Sequence, residues 1–182
     1  MNGALWRLTE HLAESGLSDA VALIAAALLH EAGHIAVCRL CRIPIRFVRP
    51  SPLGAHIGCD CGAVSYGREI CAAAAGPAAN LLGFLLCFFL PGSRWCALFG
   101  VSCLALALFN LLPISSLDGG RILSAVLSPL LGCMTGARLG AAVSAAALLL
   151  LWAFSAALQL RCGGSLSLFL ISLCFFASFS VF

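Results

Sequence analysis

AVALIAAALLHEAGHIAVCRL, residues 20–40, decides the fold class through a conflict among its own residues. The run is long and apolar enough for a membrane-spanning helix, which takes roughly 20 such residues. Yet His30, Glu31 and His34 lie inside it, with Arg39 near its end. An ionisable side chain at bilayer depth costs several kcal/mol and marks a functional site by default.

The rest of the 182-residue chain agrees with a membrane protein. It is 62% hydrophobic and only 9% charged, where a soluble domain carries about 25% charged residues. Stretches 70–90, 139–160 and 162–182 contain no charge, and neither does the shorter 95–112. The expected fold is an all-α polytopic membrane protein of about five transmembrane helices. A short β or irregular cytoplasmic loop is expected after the first of them. Residues 1–19 carry Arg7, Glu10, His11, Glu14 and Asp19, too many charges for a span, while Ala4, Leu5, Leu8 and Leu12 recur at helical spacing. That pattern predicts an amphipathic interfacial helix. No charged start, apolar core and small-residue cleavage site follow one another, so no removable signal peptide is expected.

All ten basic side chains other than histidine are arginines, and their placement predicts orientation. Arg39, Arg42, Arg46, Arg49, Arg68, Arg121 and Arg138 fall in loops on one side, and Arg7, Arg94 and Arg161 on the other. The richer side is cytoplasmic, which puts the amino terminus outside and the carboxyl terminus inside. Beside membrane spans such a cluster sets topology, and no nucleic-acid partner is expected. Most of the eleven cysteines, among them Cys71, Cys87, Cys96, Cys103 and Cys174, sit in uncharged stretches and read as small apolar residues. Cys38, Cys41, Cys59 and Cys61 have metal-like grouping, but the second pair lacks the two-residue spacer of a structural zinc site.

His30-Glu31-Ala32-Gly33-His34 fits H-E-x-x-H. Positions four apart share a helix face, so both imidazoles reach one zinc ion. Zinc lowers the pKa of a bound water, and Glu31 is placed to act as general base toward it. A hydrogen-bonded pair of core histidines is the bland alternative, which membrane depth disfavours. A catalytic zinc takes a third protein ligand. The candidate is Asp118, in Asn110-Leu-Leu-Pro-Ile-Ser-Ser-Leu-Asp118-Gly119-Gly120. Pro113 breaks the preceding span, and irregular backbone at membrane depth is tolerated only where it is buried or lines a cavity. A loop aspartate capping a helix that starts near Arg121 is the alternative. Spans 20–40 and 95–112 both run inward, so His34 and Asp118 fall on the same side.

Three motifs in order, H-E-x-x-H, then Ala75-Gly76-Pro77-Ala78-Ala79-Asn80, then N-x-x-P-x-x-x-L-D-G-G, resemble the site-2 protease family of intramembrane zinc metalloproteases. The resemblance spans about residues 20–128, and the Asn110-Leu-Leu-Pro-Ile run is most similar to the sporulation branch of the bacterial cell membrane. It implies one zinc per chain held by His30, His34 and Asp118, with Glu31 as catalytic base. It implies a metalloprotease core at 20–128, followed by C-terminal transmembrane helices at 129–182. Its substrates would be transmembrane or membrane-associated proteins, such as a sporulation sigma-factor precursor or an anti-sigma factor. Ser116 stands where the family often has proline, and no PDZ-like insert or regulatory nucleotide-binding domain is read.

Between the first two spans Ile43, Ile45 and Phe47 alternate with other positions and predict a short strand, followed by turns at Pro50, Pro52, Gly54, Gly58 and Gly62. The resemblance gives such a strand a purpose, because an exposed edge including Ile45 holds an unwound substrate by strand addition. His56 in this loop reads as solvated. The family pattern also suits Asn110 to steadying the substrate carbonyl or oxyanion. Asn80 is expected to pack helices, and Gly76-Pro77 to let the second span approach the H-E-x-x-H helix. The function expected is an intramembrane zinc endopeptidase. A metal transporter using the same ligands, or an inactive binding partner, is the alternative, and the presence of Glu31 favours the enzyme.

Overall fold

The computed structural model describes residues 2–43, 45–51, 54–59, 65–90 and 93–162. The chain runs α1 (Asn2–Leu40), β1 (Ile45–Ser51), β2 (Gly54–Cys59), α2 (Tyr66–Phe89), α3 (Arg94–Asn110), α4 (Asp118–Leu131) and α5 (Cys133–Cys162). Within these helices Gly16–Leu40, Tyr66–Phe89 and Cys133–Ala157 are long and apolar enough to cross a membrane. α3 is apolar but only 17 residues long. The span expected at 162–182 lies outside the described residues, apart from Cys162 at the end of α5.

Two boundaries differ from the expectation. α1 is one continuous helix of 39 residues, with no break where the charged segment meets the apolar one. α5 starts at Cys133, before Arg138 and well before the uncharged stretch begins. Charge marks where a bilayer can begin, whereas backbone hydrogen bonding continues past it. α4, a short helix between the spans, starts at Asp118 rather than near Arg121.

The described chain divides into two compact units, Met1–Asp60 with Ala75–Phe109, and Cys61–Ala74 with Asn110–Phe182. In the first, α1 buries a stripe of every fourth residue, Ala22, Ala26, His30, His34 and Cys38, while Leu23, Ile24 and Leu28 face outward. Small residues let its helices approach closely. A Cβ at Gly33 would lie 2.6 Å from the Ala75 carbonyl oxygen, and one at Gly83 would lie 2.8 Å from Leu29 Cδ2. Gly100 meets Cys87 in the same manner, which joins α3 to α2. Pro77 lies inside α2 and is fully buried. β1 and β2 form an antiparallel hairpin in the register Val48↔Ile57 and Pro50↔Ala55, with an irregularity between Ile45 and Phe47.

In the second unit α4 and α5 are joined at Gly132, whose φ of 81° suits a residue without a side chain. Gly136 packs against the Leu127 backbone, where a Cβ would come within 3.0 Å. The turn from Leu111 to Leu117 is pinned to α5 by hydroxyls. Ser144 Oγ donates to the Pro113 carbonyl over 3.1 Å, and Ser115 Oγ then donates to Ser144 Oγ over 2.8 Å. Ile114 and Leu117 bury their side chains beneath this turn.

Candidate metal centre

His30 and His34 occupy the centre of the buried stripe on α1, each only 7% exposed. One helical turn apart, their rings meet edge to face with centroids 4.8 Å apart. Their Nε2 atoms approach to 3.1 Å. Two ligands of a tetrahedral zinc, at about 2.0–2.1 Å from the metal, stand about 3.3 Å apart. The pair is therefore already close to the spacing that one ion asks of it. The space beside both nitrogens is kept by Gly76 of α2. A Cβ there would lie 2.6 Å from His30 Nε2 and closer still to His34 Nε2. Any side chain at this position would press on both imidazoles.

Behind the pair, fully buried Asn80 donates its Nδ2–H to His30 Nδ1 over 3.3 Å. Gly76 and Asn80 are themselves one turn apart and share a face of α2. Glu31, half-buried, follows His30 directly on the helix.

Asp118 belongs to the second unit and is also 7% exposed. It is the first residue of α4. The N-cap is Leu117, extended at φ −108° and ψ 167° and making no side-chain cap hydrogen bond. A capping role for Asp118 is thereby corrected. The carboxylate sits 3.8 Å from Arg121 Nη1, one turn along. Gly119 and Gly120 explain how a helix starts so close beneath the turn. A Cβ on Gly119 would meet the Leu111 and Leu112 carbonyls, and one on Gly120 the Ile114 carbonyl. Among the described residues His30, His34 and Asp118 are the group of donors that could hold a metal ion, all three buried. Two imidazoles and a carboxylate are a donor set that suits zinc.

Other residues singled out by sequence fall as follows. Asn110 is the last residue of α3 and half-buried. Ile45 opens β1 and His56 lies in β2, paired across the hairpin with Arg49. Cys38 is buried on α1 and Cys41 half-buried beyond its end, while Cys61 lies outside the described residues. Asn80, expected to pack helices, bridges α2 to α1 by a hydrogen bond to the His30 ring. Ser144, which pins the turn before Asp118, is a lone serine in an apolar run and gives no signal in sequence of what it meets.

Comparison with known proteins fits this arrangement. The model of Peptidase family M50 matches residues 93–154. A protein of Synechocystis sp. described as a zinc metalloprotease is 31% identical over 125 residues, covering 64% of this chain. The chain spans only 33% of the length of that relative. The solved structure of a site-2 protease from Methanocaldococcus jannaschii superposes with a TM-score of 0.68 at 25% identity, covering 88% of this chain and 74% of that one.

Proposed function

We propose that this chain, similar over part of its length to Peptidase family M50 and in fold to a site-2 protease, is a zinc endopeptidase of the site-2 protease family, hydrolysing a peptide bond within or beside the membrane. The observation that carries this reading is the histidine pair, with Nε2 atoms 3.1 Å apart on a helix apolar enough to cross a bilayer. Gly76 brings the α2 backbone against both nitrogens with no side chain between. His30, His34 and Asp118 are the proposed ligands of one zinc per chain, which when bound activates water and polarises the scissile carbonyl.

The remaining steps fall to the chain itself. Glu31 accepts a proton from the attacking water and delivers it to the leaving amine. Asn110 at the end of α3 offers an amide N–H to the oxygen that becomes negative in the transition state. The outer edge of the hairpin, including Ile45, receives the substrate as an added strand, which frees peptide bonds that a helix keeps hidden. The substrate proposed is a transmembrane or membrane-associated protein. The likeness to the sporulation branch favours a sigma-factor precursor or an anti-sigma factor. In the proposed orientation the amino terminus is outside and the hairpin is cytoplasmic.

The test is co-expression with candidate single-span substrates, comparing wild type with Glu31→Gln. Cleavage should fall by about 10²–10⁴ while about one zinc per chain is retained. A metal transporter built on the same ligands would keep working in Glu31→Gln, and full activity there would end the protease reading.

A further inference from the structure

We propose that Cys87 and Cys96 are a redox-active pair, closing to a disulfide that clasps the end of α2 to the start of α3. A Cβ on Gly100 would lie 3.0 Å from Cys87 Cβ and 3.9 Å from its Sγ. The two helices approach this closely because position 100 carries no side chain. Cys96 stands one turn before Gly100 on the same face of α3, and its thiol shares a hydrogen bond with that of Cys87. Gly76, Asn80, Gly83 and Cys87 recur at spacings of three or four and share one face of α2. The clasp therefore fastens the far end of the face that meets His30.

Either cysteine alone would be apolar filler, but two thiols in contact are a reactant pair. Both are half-buried rather than sealed. Cys87 lies just before the end of α2 at Phe89, and Cys96 just after the start of α3 at Arg94. Helix ends yield more easily than helix centres, which lets the sulfurs draw together to the roughly 2.0 Å of a disulfide. In the proposed orientation this end of both helices faces outside, where disulfides persist. Cys103, the next thiol along α3, is fully buried against Gly83, where a Cβ would lie 3.2 Å from its Sγ. A shared metal would be the other use of paired thiols. Among the described residues, however, the donors grouped for a metal are His30, His34 and Asp118, and a structural zinc takes four ligands.

The oxidant is an external disulfide, and the bond forms by exchange. The thiolate of one cysteine attacks a sulfur of that disulfide, breaks its S–S bond and releases one thiol. The thiolate of the other cysteine attacks the mixed disulfide, forms the Cys87–Cys96 bond and releases the second thiol. Two electrons pass to the oxidant, and the two protons lost by the cysteines end on the two released thiols. Because the resolving thiol is already in contact, the second attack is intramolecular and the mixed disulfide is short-lived.

The test uses the full chain in lipid nanodiscs, reduced, freed of reductant and then equilibrated with glutathione disulfide. The reaction is quenched in acid, remaining thiols are alkylated in denaturant with N-ethylmaleimide, and the cysteines are mapped by mass spectrometry. Before oxidation Cys87 and Cys96 should both be alkylated. Afterwards neither should be, and their peptides should be joined; dithiothreitol should restore both thiols. This mapping needs no variant. In Cys96→Ser the glutathione adduct on Cys87 should last roughly 100-fold longer or more, because the resolving thiol is gone. Cys103→Ser should form the disulfide as wild type does. Wild-type thiols that stay alkylatable after glutathione disulfide overturn the proposal. So does a glutathione adduct that persists on either wild-type cysteine, or a linkage to Cys103 or to a second chain. None of these outcomes touches the zinc reading, which rests on other residues.

Discussion

A single missing methyl group separates the site from a filled helix interface. Gly76 faces both histidine nitrogens, and an alanine there would place a carbon less than 3 Å from each. Gly76→Ala should reduce zinc binding at least tenfold, as equilibrium dialysis would show, with an overpacking cost of about 1–3 kcal/mol. Gly100→Ala is the matched control, since its Cβ would crowd Cys87 at 3.0 Å in the same unit. It should lose similar stability and keep its zinc; equal loss of metal in both would mean that Gly76 acts only through packing. At this scale the sequence was informative where chemistry depends on local spacing. His30 and His34 are four apart, and a helix settles their relation without help from the fold. The contact of Asn80 with His30 joins positions fifty residues apart. No local pattern specifies it, because it depends on how α2 is rotated against α1.

Among the elements, the long apolar helices were legible because a bilayer demands length and the absence of charge. The turn before α4 was legible only in part. Pro113 announces a break and Gly119-Gly120 a close approach, but the anchor is Ser144, which bonds the Pro113 carbonyl from α5. A serine in an otherwise apolar run has no distinguishing neighbour in sequence. A helix starting near Arg121 is readable, but its start at Asp118 and its run through Pro129 are not, because fourteen residues are too few for a span. The hairpin is the element whose proposed role is easiest to separate from the metal. Ile45→Pro removes a backbone donor at the start of β1. Cleavage of a helical transmembrane substrate should then fall at least tenfold, while a short extended peptide is cut nearly as before and metal content is unchanged. Equal losses on both substrates would mean damage to the site, and no loss on either would return the hairpin to a plain connector.

For the molecule as a whole, the orientation proposed from the arginines can be tested directly. Arg68 and Arg94 flank the two ends of α2 and are both exposed. With other reactive thiols blocked, cysteines placed there should label from opposite sides, Arg68→Cys from the cytoplasm and Arg94→Cys from outside. Labelling in the reverse sense would invert the face at which substrate arrives.

The shortness of α3 has a consequence for the surrounding lipid. Its 17 residues extend about 25 Å at the rise of an α-helix, against roughly 30 Å of hydrocarbon in an average bilayer. A helix that falls short is accommodated when acyl chains thin around it, at a fraction of a kcal/mol for each ångström of mismatch. α3 ends at Asn110, where the turn leading to Asp118 begins. Thinning there would draw the headgroup layer, and the water it carries, toward the end of α3. α3 is then the helix that a thick bilayer fits least well, beside longer helices such as α2 of 24 residues. Reconstituted into phosphatidylcholines of increasing acyl length, the chain should melt at progressively lower temperature once the bilayer outgrows α3.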